Sequence, residues 1–163
     1  MISNGLKAFF LFSLFGAIAI TLVGGWYTME AAPPYPGITV NQDGATVFTR
    51  DDIFAGQHVW QKYGLMDNGS VWGHGTYRGN DYSATTLHQI GGHMKDFLAR
   101  QRFQADYAAL DAGQQAMIDQ AAIAELKENR YDEATDTLVL TAAQVHALEQ
   151  IRAHWNRVFS EGD

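Results

Sequence analysis

The chain has 163 residues, eleven Lys or Arg against eighteen Asp or Glu, a formal charge of −7 and no cysteine. That length holds one membrane segment and one domain large enough to bury a core without covalent staples. The acidic balance, with no Lys/Arg cluster, argues against nucleic acid as a partner, and zero cysteine excludes disulfides and thioether-bound haem while leaving the compartment open.

Ala8 to Tyr27 carries no charge and is dominated by Phe, Leu, Ile, Ala and Val. A helix of that length spans roughly 30 Å, the thickness of a hydrocarbon core. Lys7 precedes the run, Glu30 follows it, and Trp26 and Tyr27 stand where interfacial aromatics belong. This reads as a single-pass anchor with a cytoplasmic N-terminus. A cleavable signal peptide has a shorter apolar region, about 7–15 residues. All three prolines fall in Ala31 to Gly37, which predicts an extended strut.

Ile38–Val40 and Thr46–Phe48 flank Asp43-Gly44, a strong hairpin signal. Thr49 with Asp52 has the form of a capping box, opening a helix that should end by Gly64. Four glycines at 69, 73, 75 and 79 are too many for a stable helix or strand, so Gly69–Gly79 is expected to be a loop. Ser83 is expected to cap a long helix with Leu87, Ile90, Met94, Phe97 and Leu98 on its apolar face. Gly91-Gly92 interrupts that helix, and close packing against another element is the expected compensation. A further helix over Asp111–Lys127 carries Met117, Ile118, Ala121 and Leu126. Tyr131 to Leu140 reads as a second hairpin, and Thr141 with Gln144 caps a last helix through Val145, Leu148, Ile151, Trp155 and Phe159. Glu125 and Glu128 read as a solvated helix face.

The stretch Gly56-Gln57-His58-Val59-Trp60 to Gly73-His74-Gly75-Thr76-Tyr77 resembles the haem-binding part of the membrane-anchored cytochrome c subunit of nitric oxide reductases. Leu65-Met66-Asp67-Asn68-Gly69 fills the slot of the C-x-x-C-H attachment motif. Lys62 to Tyr77, Asp81-Tyr82-Ser83-Ala84, Leu126 to Asp132 and Ile151-Arg152-Ala153-His154-Trp155 are similar to the haem-less, cytochrome c-like N-terminal module of the quinol-dependent nitric oxide reductases. The resemblance covers essentially the whole chain. It implies a mainly α fold: a transmembrane anchor (1–30), a Pro-rich strut (31–37) and a periplasmic cytochrome c-like helical domain lacking haem, with small β-hairpins (38–163).

The family reduces two NO to N2O with electrons from quinol, on a polytopic catalytic subunit or domain bearing haem b and non-haem iron. The resemblance therefore implies a non-catalytic module in the cytoplasmic membrane, touching lipid, capping that partner and meeting quinol only at the level of the complex. Whether it is a separate subunit or part of a fused enzyme stays open. The resemblance further implies an interfacial calcium ion held by the backbone carbonyls of Gly75 and Tyr77, with Thr76 in place of the usual Ala. Calcium accepts such oxygens from irregular loops, and Asp67 and Asp81 are the carboxylates at hand. For His74, between two glycines of that loop, two roles are open: pinning the loop, or contacting a haem propionate or a quinol.

Outside this loop the chemistry is sparse. His88 and His93 would stand more than roughly 100° apart around a helix, His146 and His154 are eight residues apart, and no H-E-x-x-H, acidic calcium loop or nucleophile elbow is present. Trp60, Trp72 and Trp155 read as core rather than a quinol pocket. Two other readings stand beside the subunit: an anchored periplasmic binding or sensor domain with a conventionally polar surface, and an independent metalloenzyme. A subunit should instead expose apolar surface around Trp72–Tyr77.

Overall fold

The computed structural model describes residues 3–161. Met1, Ile2, Gly162 and Asp163, the outermost residues of the expected segments, lie outside the described residues. The chain forms two units, residues 1–35 and 36–163.

The first unit is built on one helix, α1 (Asn4–Glu30), whose Ser3 cap accepts from the Leu6 N–H. It is long and apolar enough to cross a membrane, and none of its residues is buried. Apolar side chains cover it all round, as the missing polar stripe in its sequence requires. The Ser13, Thr21 and Thr28 hydroxyls donate back to the carbonyls of Phe10, Ala17 and Gly24, at 3.0, 2.9 and 2.8 Å, so each finds its partner within the helix.

Among the described residues the second unit is mostly helical with two small sheets. β1 (Ile38–Val40) and β2 (Thr46–Thr49) form the expected hairpin. Its turn is organised by Asn41, whose side-chain oxygen accepts from the N–H groups of Asp43 and Ala45, while Gly44 supplies the positive φ of 80°. Thr49 and Asp52 make the reciprocal capping box of α2 (Arg50–Lys62), which ends at Tyr63 before a left-handed Gly64. After a 3₁₀ turn and the glycine-rich loop come α3 (Tyr82–Phe103), α4 (Ala112–Lys127) and α5 (Ala142–Glu161). The Thr141–Gln144 box at the start of α5 is present in both directions, at 2.9 and 3.2 Å.

Helix α3 packs on both α5 and α4. The core between them is Met94, Leu98, Ala99, Leu110, Ile118, Ala122, Ala143 and Ala147. This shifts the expected faces. On α5 the buried positions are Ala143, Ala147 and Ile151, because alanines at four-residue spacing let α3 approach; Val145 and Leu148 are half-buried and Phe159 is exposed. On α4 Ile118 and Ala122 face inward while Met117 and Leu126 are exposed, and on α3 Leu87 is exposed. Glu125 is not part of a solvated face either: its carboxylate accepts from the Thr141 hydroxyl at 2.6 Å. Glu128 pairs with Arg130.

The second hairpin, β5 (Tyr131–Asp132) with β6 (Thr137–Val139), does not stand alone. β6 pairs in parallel with β1, Ile38 opposite Thr137 and Val40 opposite Val139, giving one sheet of order β2-β1-β6-β5. Asp136 seals the join. Its backbone carbonyl accepts from the Gly37 N–H at 2.9 Å, and its carboxylate accepts from the Tyr131 hydroxyl at 2.8 Å and Arg50 at 2.6 Å.

The glycine pair of α3 departs from expectation. A Cβ on Gly91 or Gly92 would meet nothing within 4 Å, so no close packing offsets their cost within the described residues. Gly91→Ala and Gly92→Ala are therefore expected to stabilise the domain by about 1 kcal/mol each. Thermal unfolding checks this as a rise of about 3 °C per substitution.

Candidate docking loop

The segment between α2 and α3 is a tightly tied piece of backbone. β3 (Ser70–Val71) and β4 (His74–Gly75) form a two-residue ladder inside the glycine run, where a loop without strand pairing was expected. The ladder exists because glycine removes the obstacles. A Cβ on Gly75 (φ 145°) would press on the Gly69 carbonyl oxygen and lie 2.9 Å from the Ser70 Cα. The Thr76 N–H donates to the Met66 carbonyl at 2.9 Å, and its hydroxyl donates to the Asp67 carbonyl at 3.0 Å. Tyr82 closes the knot by donating its hydroxyl to the Asn68 carbonyl at 3.2 Å.

Asp81 is the hub, and it replaces Ser83 as the cap of α3. One carboxylate oxygen accepts from the Ala84 N–H at 2.8 Å; the other accepts from the Ser70 hydroxyl at 2.7 Å and the Gly73 N–H at 2.8 Å. Ser83 instead accepts from the Trp72 N–H at 2.9 Å. Both residue types cap helices, but only a carboxylate has enough lone pairs to serve cap and loop together. The Ser70 hydroxyl, then the Ala84 and Gly73 amides, hold the Asp81 carboxyl below its ordinary 3.8. Asp136 is lowered by Tyr131, then by the Gly37 N–H and Arg50, and Asp119 by Lys95 and then Tyr107.

A depressed folded pKa gives stability that is present above the unfolded value and lost as pH falls through the folded one. Thermal stability is thus expected to hold down to about pH 5 and to fall below about pH 4. Asp81→Asn should make that acid limb shallower, measured as the melting temperature against pH.

Around the knot the surface is aromatic. Trp72 is 71% exposed and Tyr77 fully so; Tyr63 at the end of α2 and Met66 in the 3₁₀ turn are also open. Trp60 and Trp155, by contrast, pack edge-on against Tyr82 with ring centroids 5.4 and 5.5 Å away, and the Trp155 N–H donates to the Thr86 hydroxyl at 3.1 Å. Trp60 and Trp155 are half-buried, so the expectation that the tryptophans are core is met only in part by those two and fails for Trp72.

Of the residues singled out from sequence, His74 and Gly75 lie on β4 and Tyr77 two residues beyond. His74 is exposed, and its side chain makes no hydrogen bond or ion pair among the described residues. The Asp67 carboxylate is likewise without a hydrogen-bond partner among the described residues, whereas Asp81 is fully engaged. Among the described residues no three His, Cys, Asp or Glu side chains gather as a metal site. His146 packs on Phe97 and His154 on Trp155, with centroids 5.2 and 5.0 Å apart. Sequence reasoning missed the role of Asp81, although its spacing before Ala84 was a readable capping signal.

No curated protein matches the chain. The family model for the NorB cytochrome c-like domain of nitric oxide reductase matches residues 36–163, which takes in the whole second unit. With that unit covered from end to end, the chain belongs to the NorB cytochrome c-like domain family of nitric oxide reductases.

Proposed function

We propose that this chain is the membrane-anchored, haem-less, non-catalytic module of a quinol-dependent nitric oxide reductase. α1 serves as a single-pass anchor, and the second unit caps the extracytoplasmic face of a polytopic protein carrying haem b and non-haem iron, where two NO become N2O. The observation that carries this is the open aromatic surface of Trp72, Tyr77, Tyr63 and Met66. Apolar side chains clustered on consecutive, mutually packed segments mark a contact surface. An anchored sensor with a conventionally polar surface would not need it. The absence of cysteine supports a module without covalent haem.

An interfacial calcium ion fits this surface as a half-site. The irregular backbone at Gly75 and the open position of Tyr77 suit two carbonyl ligands, and Asp67, whose carboxylate has no hydrogen-bond partner among the described residues, is a source of negative charge in the same loop region. Calcium takes 6–8 oxygens, so the rest would come from the partner. His74, open on the same strand, is placed by this reading toward a haem propionate or the quinol side.

Affinity purification of the tagged full chain from detergent-solubilised membranes tests the proposal. A haem b protein is expected to copurify, seen by its optical spectrum. A chain that purifies alone from membranes active in NO reduction would overturn it.

A further inference from the structure

We infer that Trp72 is the anchor side chain of the docking surface, held in place by Ser83 and Asp81 for insertion into a recess on the haem-bearing protein; this rests on the functional reading above. Trp72 and Gly73 are the two residues joining β3 to β4, with φ of 54° and 74°. A two-residue hairpin turn with both φ positive selects Asn-Gly, Asp-Gly or Gly-Gly, because such backbone is costly for a bulky side chain. Tryptophan is a poor choice for the turn itself.

Among the described residues, the other two non-glycine residues at positive φ have ordinary local reasons: Gln104 is the left-handed cap of α3, and Asp136 is of the type that tolerates this region. Trp72 has none. The residue is 71% exposed, and its ring stacks on no other ring among the described residues. The turn is kept by bonds from outside it: Trp72 N–H to the Ser83 hydroxyl at 2.9 Å and Gly73 N–H to the Asp81 carboxylate at 2.8 Å. Strained geometry held by its surroundings, with nothing gained inside the domain, points to function at that side chain.

A protein recess, rather than lipid, is the occupant this favours. A fluid bilayer interface accepts an aromatic ring in many orientations and rewards no single costly backbone state. A shaped pocket rewards prior ordering, and tryptophan is the residue most enriched at interface anchors. Lys7 and Glu30 cancel in the first unit, so the full formal charge of −7 resides in the second, which disfavours anionic headgroups. Ser83 and Asp81 are positioning residues for Trp72.

Trp72→Asn gives the test its sign. Asparagine suits the turn, so the full-length variant should melt at or above the wild-type temperature while holding the haem b protein about 30-fold or more weakly. Trp72→Phe should lose less. Ser83→Ala should weaken retention about three- to tenfold, and Ser83→Thr, which keeps the hydroxyl, should restore it. Retention by Trp72→Asn equal to wild type would overturn the inference and leave the functional reading intact. A wild-type chain that retains no haem b would remove both. The full-length chain in nanodiscs of brominated phosphatidylcholine separates the lipid alternative: with Trp26→Phe as background, quenching that vanishes on Trp72→Phe would place the ring in lipid and overturn the inference.

Discussion

Alanine at Gly75 is expected to open the docking loop without unfolding the helices. At φ 145° the backbone lies where L-residues rarely go, and the added methyl would press on the Gly69 carbonyl and the Ser70 Cα, both backbone atoms that cannot rotate aside. The cost is about 3 kcal/mol. The core of α3, α4 and α5 does not depend on this ladder, so the domain can yield locally instead. Hydrogen exchange should show the Thr76 and Ser70 amides losing protection by about two orders of magnitude, while amides of α3 around Met94 change little. Haem b retention should fall with them. Gly73→Ala is the control: it also has positive φ, 74°, but its Cβ would meet nothing within 4 Å, so only the conformational cost of about 1 kcal/mol remains. Equal effects from the two substitutions would show that the close approach at Gly75 does not matter.

The second large effect belongs to the helix crossing. Met94 and Ala147 are both 0% exposed in the same core cluster. Met94→Ala leaves a cavity and should cost about 3 kcal/mol. Ala147→Leu adds volume where α5 lies against α3 and should cost about 2 kcal/mol. Urea unfolding should show the midpoint falling for both with the slope nearly kept, and the melting temperature dropping by about 10 and 6 °C. A tolerated leucine at 147 would mean that alanine there is not what sets the helix separation.

What could be read from the chain was local in origin. The Thr49–Asp52 and Thr141–Gln144 boxes are made by residues three apart, so sequence alone carries them, and the hairpin around Asp43-Gly44 is written in its turn. The α3 cap went to Asp81 rather than Ser83 because the choice depends on Ser70 and Gly73, which reach it across the loop. Ala143 and Ala147 gave no signal as core, since small apolar residues contribute little to a periodic pattern of large ones. The glycine density marked an irregular segment correctly. It did not reveal that the segment is a braced hairpin, because the bracing comes from the next helix. The family resemblance pointed to the same loop, and Trp72 at its tip is what composition and periodicity assigned to the interior.

The parallel pairing of β1 with β6 fixes an order of events during synthesis. β1 emerges from the ribosome about a hundred residues before the strand that completes its ladder, so it must wait with one edge unpaired until residues 137–139 arrive. Contacts this distant along the chain slow the final closure. The interval between the birth of Val40 and that of Val139 is therefore when this strand edge is open to wrong pairing.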